Sequence, residues 1–498
     1  MFNQGEKVKD AMAANFNNNN QSLLAGVGRV NITPSLGVDL MGTSRRWAPA
    51  KGIHQELYAT CLVLSTGAES IVLVDTDLLA IPDPTAREWR QRIGAVIDSD
   101  AGHVLLACTH NHTGPATSPH MPKIGGEQTH FRDEELTYID HLGYKLESAA
   151  KIAMANLKPA RLAAGVGRAN MTVNRREEFE DGQTLIGRNF DRPIDPDVSV
   201  LRVDTEDGQP LAAVINFASH PTITPRCELI SPDFPGAARR VFEEITGAIP
   251  LYFTGAAGDI VPLKNYLDEP YKAELLGRQL GCEAAHAYYS LNPQPTETKR
   301  TFLWSVSKLC IYEDIPIDRP PMTHFGVATR QLELDLQPPP SLAEAEGILE
   351  EKRNRIQELE AAEADRATLN PAIYQELWAR KLVDSLKEGT VRRTAQAEIQ
   401  AIRLDDIALV AVPGEAFVKM ALLVKEKSPF KHTFFIGYAN GAIGYLPMRE
   451  DYPKGGYEVT DAFKGYGYPS ALAPGSAERI VGTCLELLHE LTQTEQPE

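Results

Sequence analysis

His103-Val104-Leu105-Leu106-Ala107-Cys108-Thr109-His110-Asn111-His112-Thr113-Gly114-Pro115 is a short apolar run that ends in two imidazoles and a Gly-Pro break. A run of this length closed by a turn signal reads as a strand buried on both faces, the kind found in parallel-type sheets covered by helices. His110 and His112 then stand where a strand meets a loop. In an extended backbone residues i and i+2 share a face at roughly 6 to 7 Å, so both rings can work at one place. Neutral imidazole is the commonest metal ligand and the commonest general acid or base, and two rings on one face suit a catalytic zinc centre. The plainer reading is a pair of loop histidines at a rim.

The same pattern recurs along the chain. Ala212-Ala213-Val214-Ile215-Asn216-Phe217-Ala218-Ser219 runs into His220-Pro221, Ile407 to Val412 runs into Pro413-Gly414-Glu415, and Thr433 to Gly437 leads through Tyr438-Ala439-Asn440-Gly441 to Tyr445. Four strands thus deliver a potential ligand just past their C-terminal ends, the edge at which open α/β sheets form their sites. Taken singly, His220 reads as a structural histidine and Glu415 as an acidic residue favoured at a helix N-terminus. Their joint placement is what points to a site.

Strands and helices interleave on both sides of these motifs. Ser70 to Thr76 reads as a strand, Asp83 to Val96 as a helix, and Asp133 to Leu157 as a helix with Ile139, Leu142, Leu146, Ala149 and Ala153 at helical spacing. Val198 to Phe217 holds the turn Glu206-Asp207-Gly208 and reads as a strand hairpin ending at His220. The expected fold class is α/β, with a mixed β-sheet core flanked by helices. After Pro338-Pro339-Pro340 the composition shifts. Ser341 and Glu344 make a capping box for a helix through Ala364, and a second helix runs from about Pro371 to Lys387 with Gly389 as its stop. This is a helical hairpin inserted over about 338–390; its plain role is packing or homo-oligomer formation, its sharper role a lid.

The 498 residues carry a formal charge of −17, and no Lys/Arg stripe stands out to neutralise phosphates, which speaks against a nucleic-acid partner. Length alone suggests about three domains of ~150 residues, although large α/β chains often form one unit. The six cysteines show no paired spacing, and Cys61 and Cys108 lie in apolar runs, which reads as a reducing compartment. The N-terminus has no apolar core of a signal peptide, and Asn15 to Gln21 is an Asn-rich stretch suited to a disordered tail, taken as residues 1–23. No apolar run reaches ~18 residues, so no transmembrane segment is expected and the expected location is cytoplasmic.

With these residues in hand, the chain resembles the neutral, non-lysosomal ceramidase family of zinc-dependent amidases. The resemblance runs through Gly26-Val27-Gly28-Arg29-Val30-Asn31-Ile32-Thr33-Pro34 and Gly52-Ile53-His54-Gln55-Glu56-Leu57-Tyr58-Ala59, and is sharpest at Thr109 to Pro115. It continues at Asn174-Arg175, Phe217 to Pro221, Gly258-Asp259, Pro413-Gly414-Glu415, Asn440-Gly441, Tyr445 and Tyr457. It implies one ceramidase-like hydrolase domain over 24–498, with Zn2+ held by His110, His220, Glu415 and Tyr445. His112 would then be an acid/base group beside the metal, and Arg175 and Tyr457 would face the scissile carbonyl. Where the family pattern reads Gly-Asp-x-Ser-Pro, this chain has Gly258-Asp259-Ile260-Val261-Pro262, so Val261 replaces the serine. Valine has no hydroxyl to bond a head group. With no signal peptide and no C-terminal β-sandwich domain read in the chain, the expected substrate is a small, soluble N-acyl compound.

The chemistry stands without the resemblance: a zinc ion brings the pKa of water to about 7 and polarises a carbonyl. His112 would move the proton, and Arg175 and Tyr457 would donate to the developing oxyanion. A metallo-β-lactamase pattern would need an Asp-His pair where Thr113-Gly114 stands, and an amidohydrolase barrel would need its HxH on the first strand. The alternatives left open are a zinc-dependent esterase, lactonase or carbohydrate-modifying enzyme on the same site, and a non-catalytic binding protein derived from it.

Overall fold

The computed structural model of the chain describes residues 23–46, 48–120, 122–123, 130–317, 322 and 324–493. The expected tail, Leu23 apart, falls outside them. The strand Val104–Cys108 is buried at every residue and pairs in parallel with Ser70–Thr76. These two form one edge of an eight-stranded mixed sheet. Inward from Ser70–Thr76 follow Tyr58–Ser65, Leu24–Asn31, Lys158–Arg168, Asp197–Thr205, Pro210–Phe217 and, at the far edge, Ile249–Thr254. A second sheet has the order Phe325–Asp335, Thr394–Leu404, Ile407–Ala411, His432–Ile436, and its last two strands are parallel.

The two sheets stack face to face. Leu62, Leu64, Leu105, Val214 and Phe253 of the first share one core with Ile402, Leu409, Ala411, Phe434 and Ile436 of the second. On the outer face of the first sheet, Val63, Val72, Val74 and Leu106 pack under the helices Thr85–Val96 and Asp133–Ala155 through Trp89, Ile93, Leu142 and Leu146. Helices Asp233–Thr246 and Pro270–Tyr289 cover the other half of that face through Phe234, Phe242 and Leu280. Helices Val418–Lys427 and Ser476–Gln493 cover the second sheet through Met420, Val424, Ile480 and Leu487. The layers are therefore helix, sheet, sheet, helix. Because side chains alternate faces and both faces are apolar, each central strand reads as an unbroken apolar run.

The C-terminal ends of four strands are tied together across the two sheets. Cys108 N–H donates to Tyr438 O and Leu106 N–H to Asn440 Oδ1, while Asn440 Nδ2 donates to Gln400 Oε1. Asn216 Nδ2 donates to the carbonyls of both Phe253 and Phe435. These buried amides fix the edge at which His110, His220, Glu415 and Tyr445 emerge.

The inserted helices span Leu342–Ala361, with the Ser341/Glu344 capping box, and Arg366–Glu388, ended by Gly389 at φ 70°. The second begins five residues ahead of Pro371, because Asp365 accepts the Thr368 N–H and starts the helix there. Trp378 Nε1 donates to Tyr468 O and the Tyr374 hydroxyl to Lys464 O, so the hairpin packs on the segment that follows Tyr457. A further two-stranded ribbon, Thr296–Trp304 with Lys308–Pro316, is exposed along nearly its whole length, and sequence reading did not anticipate it. Among the described residues no helix is long and apolar enough to cross a membrane, and all six cysteines are free.

Candidate metal centre

His110 follows its strand in a left-handed backbone conformation, φ 64°, held by its own N–H donating to Leu78 O. Its Nδ1 lies 2.7 Å from Leu79 O, His112 Nδ1 lies 2.8 Å from Gly42 O, and His220 Nδ1 lies 3.1 Å from Ala257 O. A carbonyl can only accept, so each Nδ1 carries a proton, which makes Nε2 the lone-pair nitrogen of each ring in its neutral form. The three rings turn those lone pairs inward, with ligand atoms all within 4.8 Å of one another. His112 Nε2 is 3.1 Å from His220 Nε2. Glu415 Oε2 is 3.3 Å from His110 Nε2 and 3.8 Å from His220 Nε2, and it has no hydrogen-bond donor among the described residues, while Oε1 accepts from the Tyr466 hydroxyl. Three lone pairs and an orphaned carboxylate oxygen, at side chains only 2%, 1% and 3% exposed for His110, His220 and Glu415, form an anionic pocket without a proton to share. A divalent cation fits that donor set, and nitrogen and carboxylate donors suit zinc. Burial, and then the neighbouring His110, hold His112 and His220 well below the ordinary imidazole range, so both rings are neutral near pH 7.

Tyr445 enters from the short strand Tyr445–Leu446, paired in parallel with Glu415–Ala416. Arg175 Nη2 donates to its hydroxyl at 3.0 Å, and Arg175 Nε donates to Glu458 at 2.7 Å. Burial works against the Arg175 charge, but Tyr445 and Glu458 outweigh it. Arg176 Nη1 takes the second Glu458 oxygen at 2.7 Å, so one buried carboxylate aims two adjacent guanidinium groups. The Tyr457 ring lies 5.8 Å from that of Tyr445; 44% of its surface is exposed, although its hydroxyl is close enough to feel Glu415 and Arg175. The expected residues therefore fall into two groups, with His110, His112, His220 and Glu415 around one point and Tyr445, Arg175 and Tyr457 beside it. His112 stands as close to that point as the rings that the resemblance assigns to the metal.

Several residues that support the site carry no sequence signal. Arg46 donates Nη2 to the carbonyls of His112 and Pro225. Tyr438 stacks on His110 with centroids 4.2 Å apart. Only the folded chain brings them there. Two glycines are required by close approach. A Cβ at Gly42 would lie 2.7 Å from His112 Nδ1, and one at Gly258 would lie 2.4 Å from Glu415 O. Val261 is fully buried, paired with Val173, next to Ile260 whose carbonyl accepts the His220 N–H. An open cleft of about 550 Å³ is lined by Glu177, Ile186, Arg188, Phe190, Asn265 and Tyr266, none of them an expected site residue. Tyr266 is near enough to bear on the charge of Arg175.

Residues 23–250 match the family model for neutral/alkaline non-lysosomal ceramidase, N-terminal. A neutral ceramidase of Pseudomonas aeruginosa is 25% identical over 460 residues, which are 87% of this chain and 68% of the relative. Neutral ceramidase B of Dictyostelium discoideum is 28% identical over 228 residues, 44% of this chain and 31% of that protein. The crystal structure of the P. aeruginosa neutral ceramidase shares the fold, with a TM-score of 0.62 at 22% identity, covering 96% of this chain and 75% of that one.

Proposed function

This chain belongs to the neutral/alkaline non-lysosomal ceramidase family, and from that premise we propose that it is a zinc-dependent hydrolase cleaving an N-acyl amide bond. His110, His220, Glu415 and Tyr445 would hold the metal, and His112, Arg175 and Tyr457 would act on the substrate. The single observation that carries the reading is the buried Glu415 oxygen that has no donor among the described residues, facing the Nε2 atoms of rings whose Nδ1 protons bond backbone carbonyls. Bound there, a divalent ion supplies a Lewis acid and brings the pKa of water to about 7.

The residues of the chain do the rest. His112, neutral near pH 7 and fixed through Nδ1 by Gly42 O, presents Nε2 to take the proton of the attacking water and return it to the leaving amine. Arg175, aimed by Glu458, and the hydroxyl of Tyr457 donate toward the oxygen on which charge develops, where preorganised donors count most. Burial around the histidines excludes bulk water and strengthens each of these interactions.

The relatives' names point to ceramide as the amide cleaved. Val261 supports a second reading, a small soluble N-acyl compound, because the hydroxyl expected at that position is missing. The deciding experiment measures hydrolysis of ceramide in detergent against short N-acyl amides and matched esters, with and without a chelator. Amide cleavage abolished by chelator and restored by zinc is expected; amide cleavage indifferent to chelator, or cleavage of esters alone, defeats the proposal.

A further inference from the structure

The ribbon Thr296–Trp304/Lys308–Pro316 has an unusual surface. Near its tip Phe302, Leu303, Trp304, Val306, Leu309 and Tyr312 are all at least 45% exposed, Trp304 at 76%. Cross-strand register puts Phe302 opposite Cys310 and Trp304 opposite Lys308 on one face, with Leu303 opposite Leu309 on the other. Apolar side chains therefore lie on both faces and at the turn. A folded partner seated on a two-stranded ribbon covers one face and leaves the other in water, whereas a fluid apolar phase accepts both at once.

Charge narrows the occupant. The tip half of the ribbon, Lys299 to Tyr312, carries Lys299, Arg300 and Lys308 and no acidic residue, while Glu297, Glu313 and Asp314 lie at its base, Glu313 opposite Lys299. Lys308 lies 4.4 Å from the Phe302 ring centroid, so cation and ring share one patch. Aromatic and aliphatic groups at a tip, with Lys308 level with Trp304 and Lys299 and Arg300 behind them, match the layering of a membrane surface, where Trp and Tyr favour the headgroup region and Lys or Arg is drawn to anionic lipid. Among the described residues the outer edges of both strands pair with no further strand, which limits the ribbon to shallow insertion.

We propose that this ribbon is a docking element for an anionic lipid surface, with Phe302, Trp304 and Val306 entering the interface and Lys299, Arg300 and Lys308 contacting the headgroups. The proposal goes beyond the hydrolase reading and does not depend on it, since docking is measured without turnover.

The test is co-sedimentation of the full chain with vesicles of phosphatidylcholine alone and with about one-fifth phosphatidylserine, together with Trp fluorescence. Binding to the anionic vesicles, weakened by salt and accompanied by a blue shift, is expected. F302S/W304S/V306S should bind at least tenfold more weakly while keeping the same circular dichroism and melting temperature. K299E/R300E/K308E should lose the preference for anionic lipid. Absence of vesicle binding by the unmodified chain, or binding unaffected by either variant, overturns the proposal. So does a dimer in solution that the apolar variant dissociates while vesicle binding persists.

Discussion

A histidine held at positive φ costs about 1 kcal/mol or more, and His110 is kept there by bonds from its backbone to Leu78 and from its ring to Leu79. His110→Ala should abolish metal binding and turnover together. His112→Ala should keep the metal and lose 10²- to 10⁴-fold in kcat, the usual contribution of a placed acid/base group. Both are read by metal analysis and steady-state rates, and equal metal loss in the two would make His112 a ligand. At Glu458→Gln, one buried carboxylate serving Arg175 and Arg176 is removed, and a loss of about 3 to 5 kcal/mol in unfolding free energy is expected from denaturant titration. A further effect belongs to Asp75, fully buried on the strand leading to Asp77 and paired with Arg239. Burial outweighs that partner and raises its pKa from 3.8 to about 7. The folded state then binds the proton more tightly than the unfolded one, so this contribution to stability is present at low pH and falls as pH rises from about 4 through 7. Melting curves should show Asp75→Asn losing more stability relative to wild type at pH 5 than at pH 8. The reverse order would contradict the assignment.

At the scale of elements, period and punctuation made much of the chain legible. The capping box at Ser341, the helix from Asp133 and the hairpin turn at Glu206-Asp207-Gly208 all stand where local signals put them. The helix before Lys387 starts earlier than Pro371 suggests, because a side-chain cap at Asp365 has no periodicity to announce it. The ribbon at Thr296–Pro316 escaped notice because its apolar residues cluster at a tip instead of alternating toward a core. The inserted helices carry Trp378, whose indole bonds Tyr468 O near the end of the segment holding Tyr457 and Tyr466. Trp378→Phe should cost about 1 kcal/mol of stability by thermal unfolding and raise KM more than it lowers kcat, since it loosens the edge of the site and spares the proton-transfer groups.

Across the whole molecule, the site exists because two stacked sheets end their strands at one edge. The apolar runs before His110, His220 and Glu415 revealed that each residue follows a strand, but not that the strands belong to two sheets joined by Asn216 and Asn440. Nor did any local pattern announce Arg46, Tyr438, Tyr466 or Glu458, which reach the centre from elsewhere in the fold. The ring orientations, with every Nδ1 on a backbone carbonyl, are likewise tertiary facts, and the central claim rests on them. Its most direct test is the metal content of the full chain purified without added metal, measured by mass spectrometry beside His110→Ala and Glu415→Ala. About one equivalent of zinc per chain, lost in both variants at unchanged circular dichroism, is the predicted result. A metal-free protein that takes up no zinc when it is supplied, or zinc retained in full by both variants, would contradict it.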